Sequence, residues 1–437
     1  MRFLKLIEFE NNFFIYDVES FNLYNIHEEL FTSIKNNEIL MEDLIPESKN
    51  INIQEDLKKI TNIHLNVAQV CNLVCGYCYG IDGEYGLKGK MNEGNALKAI
   101  DFLINKSGSE KSLKVVFFGG EPLLNFPMIK TVVDYCESKN IKSFKRFKYA
   151  IVTNGTKFNP EINKFLNIHN FDVTVSFDGD KETQDINRPF RGGKGSYESI
   201  LPKIKEFLES RDGNATARAT ITNHSKDLLF YRENLKKIGF KNSFAEAVTL
   251  SDFSKENYNI EDLNKDQQNQ LLENDKNELN EFSRVIKVRG DISGFLGSKY
   301  VIYLKQLLYK KKNNQYCGVS RSMRGIAVNG DIYPCHRFVG DNNFKMGNIN
   351  SNNDEDISQS FNIDFINEHP QCKGCFAKYY CGGGGCIHNN YVKNGSIKEL
   401  DQEHCIKMHH KIKSLFGFYN SLNTNDREFL TTKINFK

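Results

Sequence analysis

The stretch Cys71-Asn72-Leu73-Val74-Cys75-Gly76-Tyr77-Cys78 sets three cysteines in a C-x3-C-x2-C pattern directly after an apolar, strand-like run. A 4Fe–4S cluster takes four thiolates, one per iron. Three thiolates packed this tightly hold three irons and leave the fourth open to another ligand. An open iron beside a bound sulfonium is how S-adenosylmethionine (AdoMet) is cleaved reductively to a radical, and AdoMet is among the cofactors of radical chemistry. A zinc ligand set is the competing reading, although the spacing is not the paired C-x2-C of a zinc ribbon.

Outward from this motif, residues 62–250 repeat a strand–helix rhythm, which predicts a parallel sheet with crossover helices. Strands are expected over Asn62–Gln69, Leu113–Gly120, Lys148–Gly155, Asp172–Gly179, Ala215–Thr222 and Ser243–Leu250. Amphipathic helices are expected between them, as at Glu93–Lys106, Pro127–Lys139 and Tyr197–Ser210. The residues suited to chemistry gather at the C-terminal ends of the strands, where α/β barrels place their sites. Six units rather than eight predict an open, partial (β/α)6 barrel, hence an α/β fold.

The first ~60 residues read differently. Phe3–Glu10, Phe13–Asp17 and Leu23–Ile26 are expected as short strands, and His27–Asn36 as a helix before an acidic linker. Such a module is too small for a large core of its own. An edge strand there could receive an extended peptide by strand addition, and an accessory cap over the barrel is the plainer alternative. Residues 251–300 are polar and charged, with helix-compatible sequence around Asp266–Phe282, and read as a surface helical insertion. From Cys317 onward cysteines return densely. The expected domains are therefore 1–58, 59–310 with the insertion at about 251–300, and 311–437.

A chain of 437 residues predicts two to three domains with a substantial core. A net charge of +3, from 58 basic and 55 acidic residues, is too balanced to imply a nucleic-acid partner. No apolar run reaches the roughly 18 residues of a membrane span. The start, Met1-Arg2-Phe3-Leu4-Lys5, lacks a signal-peptide core, so a cytoplasmic location is expected. Eleven cysteines in a cytosolic chain read as metal ligands rather than disulfides.

Gly119-Gly120-Glu121-Pro122 closes the second expected strand. Its glycines allow a close approach to the backbone, and its carboxylate can pair with an ammonium. An ordinary turn is the alternative. On the fourth strand Val173, Val175 and Phe177 alternate with Thr174, Ser176 and Asp178. The fifth repeats this, with Thr216, Arg218, Thr220 and Thr222 on one face. An interior Arg218 needs a partner, either a ligand carboxylate or an internal Glu121 or Asp178. Arg188 is a second carboxylate-binding candidate.

The late cysteines run Cys317, Cys335, Cys372-x2-Cys375-x5-Cys381-x4-Cys386 and Cys405. Seven divide as four, completing one Fe–S cluster, and three, leaving a second with an open iron. Zinc competes for the Cys372/Cys375 pair. Cys136, aligned with Val132 and Val133, reads as an inert core residue. Gly192-Gly193-Lys194-Gly195-Ser196 lacks the spacing of a phosphate loop, and Gly382 to Gly385 fits a tight turn between ligands. There is no G-x-S-x-G elbow and no H-E-x-x-H pair.

Taken together, the chain resembles the radical AdoMet enzymes with a C-terminal SPASM domain, in their peptide-maturing branch. The resemblance rests on Cys71/Cys75/Cys78, Phe117–Leu124, Thr153-Asn154-Gly155, Ser176-Phe177-Asp178-Gly179, Asn187-Arg188-Pro189-Phe190 with Gly195-Ser196, and the seven late cysteines. It implies AdoMet and three 4Fe–4S clusters as cofactors. Cys71, Cys75 and Cys78 would hold the catalytic cluster, shielded by Tyr77 and Tyr79. Gly119, Gly120 and Glu121 would receive the methionyl amine, and Ser176 and Arg188 the carboxylate and ribose end. Asn154 and Arg218 join this cofactor-binding set, with Leu250 against the adenine. Cys317, Cys335 and Cys386 would ligate the first auxiliary cluster; Cys372, Cys375, Cys381 and Cys405 would ligate the second. Cys381 and Cys386 are separated by four residues where the family commonly has three, which leaves their division between clusters open.

Two branches of the family compete. Anaerobic sulfatase maturases usually carry an aspartate after the cysteine of the Y-P-C motif, whereas Tyr333-Pro334-Cys335 is followed here by His336. The segment Asn12-Phe13-Phe14-Ile15-Tyr16-Asp17-Val18 looks like the start of a peptide-recognition (RRE-like) domain. Both features point to a maturase that installs thioether crosslinks in a ribosomally made, cysteine-containing precursor peptide. Formylglycine formation and carbon–carbon crosslinking stay open, as does a non-catalytic Fe–S electron carrier or peptide scaffold. The implied partners are the precursor peptide, bound at the N-terminal domain, and a flavodoxin- or ferredoxin-like electron donor.

Overall fold

The computed structural model describes residues 3–46, 59–213, 215–225, 228–250, 255, 260–295, 298–319, 321–351, 361 and 363–434. Its two compact units do not follow chain order: Met1–Glu55, Lys265–Cys317 and Ile363–Lys437 make one, Asp56–Asn264 and Gly318–Asn362 the other. These divisions run differently from the domain limits expected at 58 and 310.

In the first unit, Leu4–Phe9 (β1), Asn12–Asp17 (β2) and Asn22–Ile26 (β3) form an antiparallel sheet in the order β1-β2-β3. The β1–β2 hairpin turns on Glu10 and Asn11, both at positive φ (48° and 60°), the hand that matches strand twist in a two-residue turn. The inward residues Phe14 and Tyr16 are fully buried and pack on Phe416 of the Gln402–Ser421 helix, with ring centroids 6.3 and 4.8 Å away. The Lys265–Lys287 helix, read from sequence as a surface insertion of the barrel segment, buries Leu279, Phe282 and Ile286 in this unit instead. Phe282 stacks on Phe418 at 5.5 Å. Three of its apolar positions recur at helical spacing, so a largely polar segment still presents one stripe to a core.

The second unit is built on a sheet that starts from Asn62–Gln69 (β4), whose last residues pair with the short Gly89–Lys90 strand (β5). Next to β4 lies Ser112–Gly119 (β6), followed by Arg146–Thr153 (β7), Asp172–Ser176 (β8), Ala215–Ile221 (β9) and Asn242–Ala247 (β10). Each pairs with its neighbour in parallel. The six parallel strands foreseen from the sequence are all present, with ends moved by a few residues. Ile63, Leu65 and Val67 of β4 belong to the unit's main core, as do Ala96, Ile100 and Leu103 of the Glu93–Lys106 helix. That helix starts where Asn92 accepts a hydrogen bond from the Asn95 amide, a side-chain cap that satisfies one orphan donor.

A further stretch was not expected from sequence. Met323–Ile326 (β11) adds in parallel to the other side of β4, and Asp331–Tyr333 (β12) and Gly347–Asn348 (β13) continue the sheet antiparallel. These strands have two to four residues each, too short for a period-2 pattern to stand out.

Candidate functional site

The C-x3-C-x2-C loop leaves β4 and is fastened on every side by its own unit. Val74 donates its amide to the Pro189 carbonyl (2.8 Å), and Leu73 bridges to Phe190. Arg191 gives Nε to the Cys71 carbonyl (2.7 Å) and Nη2 to the Asp82 carbonyl (2.8 Å). Asn154 Nδ2 donates to Asn72 Oδ1 (3.0 Å) and lies 3.8 Å from Cys71 Sγ. The glycines of the G-G-E-P turn lie against the end of β4, from which the loop leaves: a Cβ on Gly119 would sit 2.1 Å from the Ala68 carbonyl oxygen, and one on Gly120 2.4 Å from that of Val70. The close approach expected of them is thus made by the protein chain itself.

Glu121 is fully buried and its carboxylate is already engaged. It accepts from Thr153 Oγ1 (2.8 Å), the Asn154 amide (2.7 Å) and the Leu123 amide (3.0 Å). Burial pushes its carboxyl up to about 7 against these three donors. Glu121 therefore ties the end of β6 to the end of β7, the strand end that holds Asn154 against the cysteine loop.

Arg188 and Asp178 form a buried, two-point ion pair, Nε to Oδ2 at 3.0 Å and Nη2 to Oδ1 at 3.2 Å, with side-chain exposures of 7% and 0%. Burial opposes the guanidinium's charge, but Asp178 beside it holds its pKa above the ordinary value. The guanidinium also covers the Tyr77 ring at 5.2 Å. The internal partner of Arg218 is Glu246 of β10, at 3.6 Å, not Glu121 or Asp178. The reason is strand order: β9 lies between β8 and β10, and Arg218 pairs in register with Ser176 on one side and Phe244 on the other. Leu250 is buried beyond β10.

The face of the sheet turned away from the main core, which also carries Ser176 and Arg218, holds residues that the sequence did not mark. Val116, Phe118 and Ala150 form a small cluster on which Tyr79 packs. His64 of β4 stacks on His336 with centroids 4.4 Å apart and planes at 6°, and Phe118 lies 4.6 Å from His336. Burial pushes the His64 imidazole down to about 3, so it is neutral near pH 7. Its Nδ1 has no hydrogen-bond partner, and neither does either amide atom of the fully buried Asn66. Unpaired buried polar groups cost free energy, and a ligand that pairs with them recovers it. His336 stood out only as the residue following Cys335; nothing local could tie it to His64.

The donor set fits an Fe–S cluster. Cys71, Cys75 and Cys78 are close enough to raise one another's pKa, though burial is the larger cause and pushes Cys71 up to about 12. The Leu73 amide donates to Cys71 Sγ (3.5 Å), and the Gly80 and Gly83 amides donate to Cys78. Metal binding removes the thiol proton outright, and amides aimed at sulfur stabilise the thiolate that results. A cavity of about 530 Å³ borders the same loop, lined by Val74, Gly76, Pro189, Phe190, Arg191 and His224 among others. Among the described residues, no group of three His, Cys, Asp or Glu side chains is placed to hold a single metal ion.

In the first unit, Cys372, Cys375, Cys381 and Cys405 come together and are coupled electrostatically. The turn between Cys381 and Cys386 is four consecutive glycines, all at φ between 70° and 81°. A Cβ on Gly382 would fall 2.0 Å from the Gln315 carbonyl carbon, and one on Gly385 2.6 Å from the His404 ring. Cys317 and Cys386 belong to this unit too, and Cys335, at the end of β12, to the other.

Comparison with known proteins bears on this geometry. The family model "Radical SAM superfamily" matches residues 65–222, and the SPASM model, "Iron-sulfur cluster-binding domain", matches 317–376. An uncharacterized protein of Methanocaldococcus jannaschii, MJ0907, is 30% identical, covering 72% of this chain and 94% of its own. The radical SAM cyclopropyl synthase TigE of Paramaledivibacter caminithermalis is 25% identical, covering 82% and 74%. A cysteine-type anaerobic sulfatase-maturating enzyme of Clostridium novyi is 24% identical over 76% and 89%. Among solved structures, anSMEcpe with AdoMet and a peptide superposes with a TM-score of 0.67 at 20% identity, covering 82% of this chain and 98% of that one. Streptococcus suis SuiB bound to its precursor peptide SuiA gives 0.50 at 16%, covering 92% and 98%.

The chain belongs to the radical SAM superfamily and carries a SPASM iron–sulfur domain. Within it, the protein is a SPASM-type maturase, an enzyme that uses AdoMet and 4Fe–4S clusters. No helix among the described residues is long and apolar enough to cross a membrane.

Proposed function

We propose that this maturase takes a ribosomally made, cysteine-containing precursor peptide and installs thioether crosslinks in it. The observation that carries this is the N-terminal sheet, in which β3 is an edge strand among the described residues, the kind of edge an extended peptide joins by backbone hydrogen bonds. His336 supports it: its ring stacks on His64 where sulfatase maturases usually carry a carboxylate. SuiB, whose fold this chain shares, binds the precursor peptide SuiA.

Cys71, Cys75 and Cys78 would hold a 4Fe–4S cluster, whose chemistry would be to supply the electron for reductive cleavage of AdoMet. This chain's residues hold and orient the parts. Arg191, Asn154 and the Val74–Pro189 bond fix the cysteine loop, and the Asp178–Arg188 pair braces it through Tyr77. Ser176 and Arg218 share one face of the sheet with His64 and Asn66, and with Leu250 would meet AdoMet there. Cys372, Cys375, Cys381 and Cys405 of the first unit would hold an auxiliary cluster. A flavodoxin- or ferredoxin-like protein delivers the electron.

The test is mass spectrometry of a cysteine-bearing precursor peptide after anaerobic incubation with the loaded enzyme and AdoMet. Loss of two hydrogens with the thiol blocked to alkylation is the expected result. Peptides that keep every thiol free, or whose cysteine becomes an aldehyde, would overturn it.

Asn66 supplies a second expectation. Asn66→Leu removes two unpaired buried polar atoms at similar volume, so thermal unfolding is unchanged or shifted toward a gain of about 1–3 kcal/mol. Turnover to 5′-deoxyadenosine falls by about tenfold, the loss of one ligand hydrogen bond at about 1.4 kcal/mol. Lower stability together with full turnover would show Asn66 to be structural.

A further inference from the structure

The Gln402–Ser421 helix brings more than Cys405 to the late cysteines. His409 Nε2 lies 3.1 Å from Cys375 Sγ, and His404 Nε2 lies 3.6 Å from Cys381 Sγ. The backbone adds donors of its own: the amides of Gly384, Ala377 and Gly385 reach Cys372, Cys375 and Cys381 in that order. The glycine run makes two of these possible, because four successive left-handed residues turn consecutive amides inward and leave no Cβ in the way. His404 is held by the same turn, under Gly385. His409 packs on Phe376, with ring centroids 4.9 Å apart.

We infer that His409, with His404 in support, donates N–H···S hydrogen bonds to the thiolates of the Cys372/Cys375/Cys381/Cys405 cluster and sets its reduction potential. The inference rests on the reading of these four cysteines as cluster ligands. A metal-bound thiolate carries no proton and can only accept, so the facing ring nitrogen must be the protonated one. Reduction adds negative charge to the cluster, and a donor aimed at sulfur stabilises the reduced state more than the oxidised one. The histidines therefore raise the potential, which makes this cluster a better acceptor for an electron returning from the peptide. His409 is a positioning residue in this sense, acting through the cluster and not on the substrate.

The test is a redox titration of the anaerobically loaded full-length protein, followed by electron paramagnetic resonance, for wild type, His409→Leu and His409→Gln. The cluster's signal is identified as the one lost in Cys372→Ala/Cys375→Ala. In His409→Leu, the reduced-to-oxidised ratio at the wild-type midpoint is expected to fall about tenfold, which is ~59 mV for one electron. His409→Gln, which keeps an N–H donor, recovers most of that shift. Iron and sulfide content stay at the wild-type level in both. An unchanged midpoint in fully loaded His409→Leu overturns the inference, and so do equal shifts in the two variants. Loss of this cluster's iron in His409→Leu, restored by imidazole, would make His409 a ligand and overturns it as well. If Cys372→Ala/Cys375→Ala loses no iron and no signal, the cluster reading itself fails, an outcome visible without any His409 variant.

Discussion

Replacing Cys71, Cys75 and Cys78 together with alanine abolishes 5′-deoxyadenosine formation by the anaerobically reconstituted, dithionite-reduced enzyme. Three sulfurs in one loop are the sole thiolate donors of that loop, and they are coupled to one another electrostatically. The loop itself should survive. Its fastening runs through backbone groups of Cys71, Val74 and Asp82 and through Asn72, all of which the substitutions keep. Each lost sulfur costs on the order of 1 kcal/mol of apolar burial, and the closely packed Gly119 and Gly120 stay as they are. The variant is thus expected to unfold cooperatively, to keep the iron held by its other cysteines, and to produce no 5′-deoxyadenosine by chromatography. Residual turnover above the level without reductant would move the radical chemistry away from this loop.

The second large effect is one of stability. Asp178→Ala leaves Arg188 buried, charged and without its two-point partner, and is expected to cost about 3–5 kcal/mol in urea unfolding. Asp178 also accepts from the Thr220 amide (3.0 Å) and from Asn187 Nδ2 (3.3 Å), so the substitution unpairs the ends of two strand loops at once. The double variant Asp178→Leu/Arg188→Met removes both charges and should recover most of the loss, because a buried ion pair gains little over well-packed apolar groups. Its cofactor chemistry should not recover, since Tyr77 then loses the guanidinium that covers it. A single variant as stable as wild type would mean that water reaches Arg188 and that the pair is not the brace of the loop.

The parallel sheet was legible because its signals are local. β4 matches the expected Asn62–Gln69 limits, and the Glu93–Lys106 helix starts at the side-chain cap that Asn92 provides. The alternation on the fourth strand holds, with Val173 and Val175 buried in the core. The roles of Arg188 and Arg218 were less legible. The sequence marks Arg218 as a charge needing a partner and Arg188 as a carboxylate-binding candidate, but it is a loop's path that gives Arg188 Asp178 and the place of β10 beside β9 that gives Arg218 Glu246. The polar segment around Asp266–Phe282 carries its helix in its pattern but not its destination, which the buried apolar residues Leu279, Phe282 and Ile286 decide.

From the sequence alone came the cysteine spacings, the strand–helix rhythm, the glycines at strand ends and the absence of a carboxylate after Cys335, all properties of neighbours along the chain. Only the tertiary structure stacked His336 on His64, left Asn66 unpaired beneath the site and set His409 against Cys375. Hydrogen bonds and ring contacts reach only a few ångströms, so residues hundreds of positions apart acquire chemistry together once folding has brought them within that range, and no periodicity records it beforehand.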